Sequence, residues 1–292
     1  TYLGGSSTDL PHSMIVNDYG QLIVFGTTGS SDFPVTSNAY DNSFNGGTSL
    51  TYDNVLQFAN GTDIYVSKLS PMGDQLLGST YIGGSLNDGM NFRNYYANYI
   101  MHGNDSLYFN YADGCRGEVI VDENGDIFVG TTTFSTNFPT TAGSFQTTSG
   151  GQQEGVIFKF HSSLSNLTWS SYYGGSMDDA IYSIDVDKYN DVYITGGTSS
   201  SNLTTTSGTY MPTYQGGTTD GFVAHISYDG STIVNASYYG SSAYDQSYFV
   251  RTDKGNNVYL LGQTKASGST LIYNAAYNTP NSGQFLVKFP NN

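Results

Sequence analysis

The chain has 292 residues, of which 11% are charged, 37% apolar and 15% aromatic, and nine Lys and Arg against 24 Asp and Glu leave a formal charge of −15. That charge excludes nucleic acid and anionic membrane as partners, because phosphate binding needs concentrated positive charge, and the aromatic content excludes a solvated linker. The lone Cys115 excludes an internal disulfide, and no apolar run approaches the roughly 18 residues of a membrane span.

The chain opens at Thr1 without a start methionine or a secretory leader pattern, so a processed or truncated chain is expected. Along it, Tyr-x-Gly-Gly or a close variant begins at Tyr2, Tyr81, Tyr172 and Tyr238. Each copy carries an Asp at the same distance past its first glycine position: Asp9, Asp88, Asp179 and Asp245. A strand-like segment comes next, such as Ile181 to Val186, and then a turn: Asn17 to Gln21, Asp122 to Asp126, Asp187 to Asp191 and Asp253 to Asn257. Branched and aromatic runs follow directly, at Leu22 to Phe25, Ile127 to Val129, Val192 to Ile194 and Val258 to Leu261. Turn residues flanked by such runs predict hairpins. A further run closes each copy, at Ile64 to Lys68, Val156 to Lys159, Phe222 to His225 and Phe285 to Lys288. From its last residue to the next motif glycine the interval is 15 residues each time: Lys68 to Gly83, Lys159 to Gly174 and His225 to Gly240. The fourth strand lies inside it, as at Leu167 to Tyr173.

Four short antiparallel strands per repeat make one sheet, and runs such as Val156-Ile-Phe are apolar on both faces. A lone sheet cannot hide both, so the sheets must stack. The expectation is an all-β fold, a β-propeller of four-stranded antiparallel blades with four repeats visible, part of a larger propeller. A β-sandwich is the alternative, but it explains neither the repeat nor the fixed interval. The repeats run 6–84, 85–175, 176–241 and 242–292 within a single region, with insertions at 45–62 and 89–114.

The strings Tyr81 to Asp88, Val121 to Thr133 and Phe138-Pro-Thr-Thr-Ala-Gly-Ser-Phe-Gln146 resemble the seven-bladed beta-propeller repeat (SBBP) family of bacteria and archaea. The resemblance implies a secreted or cell-surface, cell-envelope protein, in Bacteroidota a type IX secretion substrate. Departures are specific. Thr131 replaces the glycine that stands at Gly26, Gly196 and Gly262, and the third and fourth copies lack the Phe-Pro pair.

Loops on a rigid scaffold carry binding residues, and the second insertion holds Tyr95, Tyr96, Tyr99, Tyr108 and Tyr111. Such rings offer apolar area with a hydrogen-bonding tip, suited to carbohydrate or protein, or they fold back over the blade edge. Both insertions are expected on one side of the disc. Asp122, Asn124 and Asp126 match the start of a calcium loop, but Ile127 and Thr133 stand where Gly and Glu are needed, so a hairpin turn is the preferred reading. The recurring Asp9, Asp88, Asp179 and Asp245 are read as structural caps, with a carboxylate ring around a central channel as the alternative. Ser162 to Trp169 ends in Thr-Trp like a sialidase Asp-box but lacks its Asp and Gly. Asn-x-Ser/Thr at Asn60, Asn104, Asn166, Asn202 and Asn235 carries no weight in a chain so rich in these residues.

No catalytic motif is present, and His12, His102, His161 and His225 are scattered through the repeats. No cofactor is expected, and no catalytic residue is assigned. The expected function is therefore a non-enzymatic binding or adhesion scaffold for extracellular protein or carbohydrate. One alternative is a structural subunit of a surface layer or filament, self-associating or joined to further propeller repeats. The other is an extracellular polysaccharide hydrolase or lyase working through carboxylates.

Overall fold

A computed structural model describes residues 1–52, 56–91, 107 and 114–291, and every regular element among them is a β-strand. The first sheet orders β1 (Asp9–Val16), β2 (Leu22–Thr28), β5 (Asp63–Leu69) and β6 (Leu76–Ile82). The second orders β7 (Glu118–Val121), β8 (Ile127–Thr133), β9 (Glu154–Phe160) and β10 (Leu167–Tyr173). The third holds β11 (Asp179–Val186), β12 (Val192–Thr198), β13 (Asp220–Ile226) and β14 (Ile233–Tyr239). Three strands form the fourth: β15 (Asp245–Thr252), β16 (Val258–Thr264) and β17 (Gln284–Phe289). The first insertion makes a hairpin of its own, β3 (Leu50–Tyr52) with β4 (Leu56–Phe58).

All pairings are antiparallel and obey the local chemistry. In each turn between the first two strands one side chain, Asn17, Asp122, Asp187 or Asp253, accepts the backbone N–H groups two and four residues on. The residue at the left-handed position is Gly20, Gly125, Asn190 or Asn256, with φ of 72°, 78°, 65° and 59°. Only glycine and asparagine adopt that conformation routinely.

The first strand of the sheet carries a bulge at His12, Tyr182 and Tyr248 in the first, third and fourth sheets. There a Cβ on Gly26, Gly196 or Gly262 would collide with the carbonyl of Leu10, Ala180 or Gln246. The second sheet escapes this constraint, since β7 begins only at Glu118, and Thr131 Oγ1 instead donates to the Arg116 carbonyl at 3.2 Å. The shortened strand explains the one glycine exchanged for threonine.

Successive sheets lie face against face. Ile23, Phe25, Ile64 and Val66 of the first pack on Val119, Ile127, Val129 and Phe158 of the second. Phe128, Ile157 and Tyr173 of the second meet Ile184, Val192, Ile194 and Phe222 of the third, and Tyr193 and Val223 of the third meet Val250 and Val258 of the fourth. Burying these side chains contributes about 1.5–3 kcal/mol each. The all-β class and the four-stranded antiparallel sheets match expectation, while the described sheets do not close into a ring.

The outer edges are covered. After the second strand of each of the first three sheets the chain turns back along the fourth, with Thr36 N–H donating to Ser79 O, Thr141 to Ser170 and Thr206 to Ala236. The motif tyrosines fix these crossings. Tyr81 Oη accepts from Phe33 N at 3.0 Å and donates to Ser30 O at 2.7 Å; Tyr172 and Tyr238 do the same with Phe138 and Ser135, and with Leu203 and Ser200.

Candidate functional site

The tyrosines of the second insertion, Tyr95, Tyr96, Tyr99, Tyr108 and Tyr111, lie outside the described residues. Its flanks are described. Met90 and Cys115 join Leu50 and Phe58 of the first insertion's hairpin in one cluster, so the bases of both insertions meet.

At the Asp122 turn, Oδ1 accepts the N–H groups of Asn124 and Asp126 and Oδ2 faces Lys159 Nζ at 3.3 Å. Asp126 Oδ1 accepts Ser162 N–H and Oδ2 lies 3.1 Å from the same ammonium. All four carboxylate oxygens are engaged and Lys159 sits where a cation would, so these residues make a turn-and-lysine lock. Lys159 also lies 3.6 Å from the Tyr228 ring centre in the next sheet. Burial pulls its pKa down, but a hydrogen bond with Tyr228 and the two carboxylates outweigh burial and raise it.

The repeating Asp behaves alike in three copies. Asp9, Asp88 and Asp179 accept from the hydroxyls of Thr28, Thr133 and Thr198, from Ser30, Ser135 and Ser200, and from the N–H of Gly5, Gly84 and Gly175. Asp245 instead takes both the N–H and the hydroxyl of Ser241. Asp9, Asp88 and Asp179 join the connection between sheets to the end of the second strand, whereas the side-chain bonds of Asp245 stay within its own connection.

A second carboxylate heads the third strand at Asp63, Glu154 and Asp220. It accepts amides of its own loop: Asn45 and Gly46, Gly150 and Gly151, and Gln215. The motif glycine lies between these residues and the repeating Asp, since a Cβ on Gly83 would sit 2.7 Å from both Asp63 Oδ1 and Asp88 Oδ2. Burial raises Asp63 and Asp220 to about 7, Asp88 well above the ordinary range, and Glu154, with the charge of Asp179 added, to about 8. The sequence carried this signal, an acid at the head of the third strand in three copies and Gln284 in the fourth.

Two carboxylates stand apart from these repeats, on the first strands of their sheets. Arg251 of β15 pairs with Glu118 of β7 through both guanidinium nitrogens, Nη1 at 3.1 Å from Oε2 and Nη2 on Oε1. Ser183 Oγ at 2.6 Å and Ile184 N–H at 3.1 Å, both on β11, donate to the same Glu118 Oε2. On β11 itself, Asp185 Oδ2 accepts Thr252 N–H at 2.6 Å and its hydroxyl at 2.9 Å. Burial raises the pKa of Asp185, against the hydrogen bonds of Thr252 and the charge of Arg251. Sequence reasoning missed this group because it breaks the repeat. Glu118 holds the register position of Ser13, Ser183 and Phe249, and Arg251 that of Ile15 and Ile120.

A cleft of about 540 Å³ between the third and fourth sheets is lined by Tyr193, Tyr210, His225, Asn235 and Phe289. His225, stacked on Tyr193 with ring centres 4.4 Å apart, pairs with Asp191 at 3.0 Å. At the preceding junction the corresponding space holds the turn at Tyr228, whose carbonyl accepts from Trp169 Nε1 at 2.9 Å. The cleft is therefore the space of an inter-sheet turn. Ser162 to Trp169 spans the matching turn one sheet earlier and the start of β10, with Leu164 of that turn buried in the core at φ 58°.

No protein-family model matches the chain, and no curated protein is similar to it. Among solved structures, the Hadza microbial sialidase Hz136 is 10% identical with a TM-score of 0.42, over 96% of this chain and 43% of that one. A GH43_12 protein retrieved from a capybara gut metagenome is 11% identical with a TM-score of 0.35, over 91% and 38%. The tail fiber of Staphylococcus aureus phage P68 is 12% identical with a TM-score of 0.28, over 90% and 49%. The chain spans less than half the length of each. The expectation of a non-enzymatic binding or adhesion scaffold finds no counterpart in the names of these neighbours, a sialidase and a GH43 protein, and is corrected to that extent; the polysaccharide-hydrolase alternative is the one they agree with. At these TM-scores the likeness transfers no residue, substrate or catalytic role.

Proposed function

We propose that the chain is an arc of a β-propeller, of the type its repeats resemble, that hydrolyses an extracellular polysaccharide. The observation that carries this reading is the placement of Glu118 and Asp185 on the first strands of adjacent sheets, with Arg251 of the next sheet paired to Glu118 and its charge acting on Asp185. Glycoside hydrolysis needs one carboxyl group that keeps its proton to give to the leaving oxygen and a second that acts as base or nucleophile. Environments that separate two carboxyl groups assign these roles. Asp185, raised by burial, is the acid, and Glu118, fixed by Arg251 and Ser183, is the second group. With a charge of −15, a neutral polysaccharide is the expected substrate class.

The test is release of reducing ends from a panel of neutral and acidic polysaccharides. Glu118→Gln and Asp185→Asn should each lower turnover by about 10²-fold or more, the scale of a lost general acid or base, while Asp122→Asn leaves it in place. Turnover indifferent to both substitutions, or absent across the panel, overturns the assignment.

A further inference from the structure

In the first three copies the repeating Asp is fully supplied with donors: a threonine hydroxyl, a serine hydroxyl and a glycine N–H. The fourth copy departs from this plan. Ala266 stands where Ser30, Ser135 and Ser200 stand, and the donors to Asp245 are the N–H and hydroxyl of Ser241, both on Oδ2. Asp245 Oδ1 has no hydrogen-bond partner. Further along β15, Ser247 takes the register position of Pro11 and Ile181, and its hydroxyl has no partner either.

A third oxygen joins these two. Asp220, heading β13, gives Oδ2 to the Gln215 N–H at 2.6 Å and has no partner on Oδ1. Asp245 N–H donates to Thr219 O at 2.9 Å, which sets the head of β15 beside that of β13, and the charge acting on Asp220 is that of Asp245. Ser247 reaches the same place: a Cβ on Gly221, the residue after Asp220, would collide with Ser247 Oγ and sit 2.9 Å from the Tyr239 carbonyl. The corresponding Gly155 of the second sheet faces the apolar side chain of Ile181 instead. Asp220, Asp245 and Ser247 are all fully buried between the third and fourth sheets. Two carboxylates and a hydroxyl, each with an oxygen that no donor reaches, are costly to bury unless a positive charge joins them.

We propose that Asp220, Asp245 and Ser247 hold a calcium ion between the third and fourth sheets. A hard divalent ion takes carboxylate, hydroxyl and carbonyl oxygens, and calcium accepts an irregular set of them where magnesium requires a regular octahedron. Its charge balances those of Asp220 and Asp245, and the Tyr239 carbonyl stands close enough to Ser247 to serve as a further ligand. Among the described residues no third acidic, His or Cys side chain joins the pair, so the site belongs with the weaker calcium sites of extracellular modules, with Kd about 10⁻⁴–10⁻³ M. The ion gives Asp245 the positive partner that threonine and serine hydroxyls give its counterparts.

The test uses the full chain freed of metal with a chelator. Calcium chloride at about 10 mM should raise its melting temperature by about 3 °C or more, the shift expected for a ligand at about ten times its Kd or above, and titration calorimetry should count a single ion per chain. Magnesium chloride at the same concentration should give a clearly smaller rise, which separates a bound ion from screening of the net charge of −15. Asp245→Asn should weaken calcium binding at least tenfold. So should Ser247→Ile, which restores the residue type of the third copy and keeps the chain folded, while Asp122→Asn, at the lysine-locked turn, should leave calcium affinity unchanged. No binding by the metal-free wild-type chain, an equal response to magnesium, affinity that survives Asp245→Asn and Ser247→Ile, or affinity that Asp122→Asn removes overturns the proposal.

Discussion

The second and fourth sheets follow one strand plan and meet water differently. Every residue of β9 is buried, whereas β17, in the same place in its sheet, alternates exposed and covered positions. Lys159 and Lys288 occupy matching register positions. The first is sealed between Asp122, Asp126 and the next sheet's Tyr228, while the second lies 3.9 Å from Asp253 with half its side chain in solvent. Equivalent strand positions are thus core or surface according to whether a described sheet packs on them.

The sharpest way to break this comparison is to truncate matching core and surface positions. Phe158 is fully buried between the first two sheets, and Phe158→Ala should cost about 3–5 kcal/mol of unfolding free energy, transfer and cavity together. Leu286→Ala should stay within about 0.5 kcal/mol, as exposed substitutions do. Denaturant unfolding at low protein concentration measures both. Similar costs would mean that the fourth sheet's outer face is packed after all.

The buried carboxyl groups sharpen the contrast through pH. Asp63 and Asp220 are raised to about 7 and Glu154 to about 8, while in the unfolded chain such groups titrate near 4. Between those limits the folded state holds protons that the unfolded state has released, so stability must fall as pH rises. Each unmatched proton steepens the slope by about 1.4 kcal/mol per pH unit. Melting temperature should decline from pH 5 to pH 8, and Glu154→Gln, which removes one titrating group, should flatten that decline. The fourth sheet carries Gln284 at this position and adds nothing to the slope. A melting temperature that rises over this window contradicts the picture of buried carboxyl groups that keep their protons in the folded state.

Much of the architecture was legible because turn chemistry and strand polarity repeat. The left-handed turn positions fall on Gly20, Gly125, Asn190 and Asn256, and the fixed interval between Lys159 and Gly174 places the fourth strand. The exchange at Thr131 could be seen but not explained, since its cause is the late start of β7. The candidate site was hidden for the converse reason. Glu118, Asp185 and Arg251 come from three copies that agree nowhere at these positions, and only strand register brings them together. The repeating Asp residues drew attention because they recur, and they recur because every copy needs the same loop held.

The motif tyrosines give the smallest and most specific test. Tyr172 Oη is buried, accepts from Phe138 N and donates to Ser135 O, each at 2.8 Å. Tyr172→Phe keeps the ring and removes the hydroxyl, leaving a buried N–H and a buried carbonyl without their partner. Losing a net hydrogen bond costs about 0.5–1.5 kcal/mol, and a stranded buried donor about 1–3 kcal/mol. A loss of about 1–3 kcal/mol is therefore expected, with faster amide exchange at Phe138 as its local signature. Tyr2→Phe, made on the exposed counterpart, should leave the stability of residues 1–292 unchanged, because Tyr2 reaches no crossing loop among the described residues. Equal losses from the two substitutions would mean that the hydroxyl acts through solvation of the ring, not through the crossing it holds.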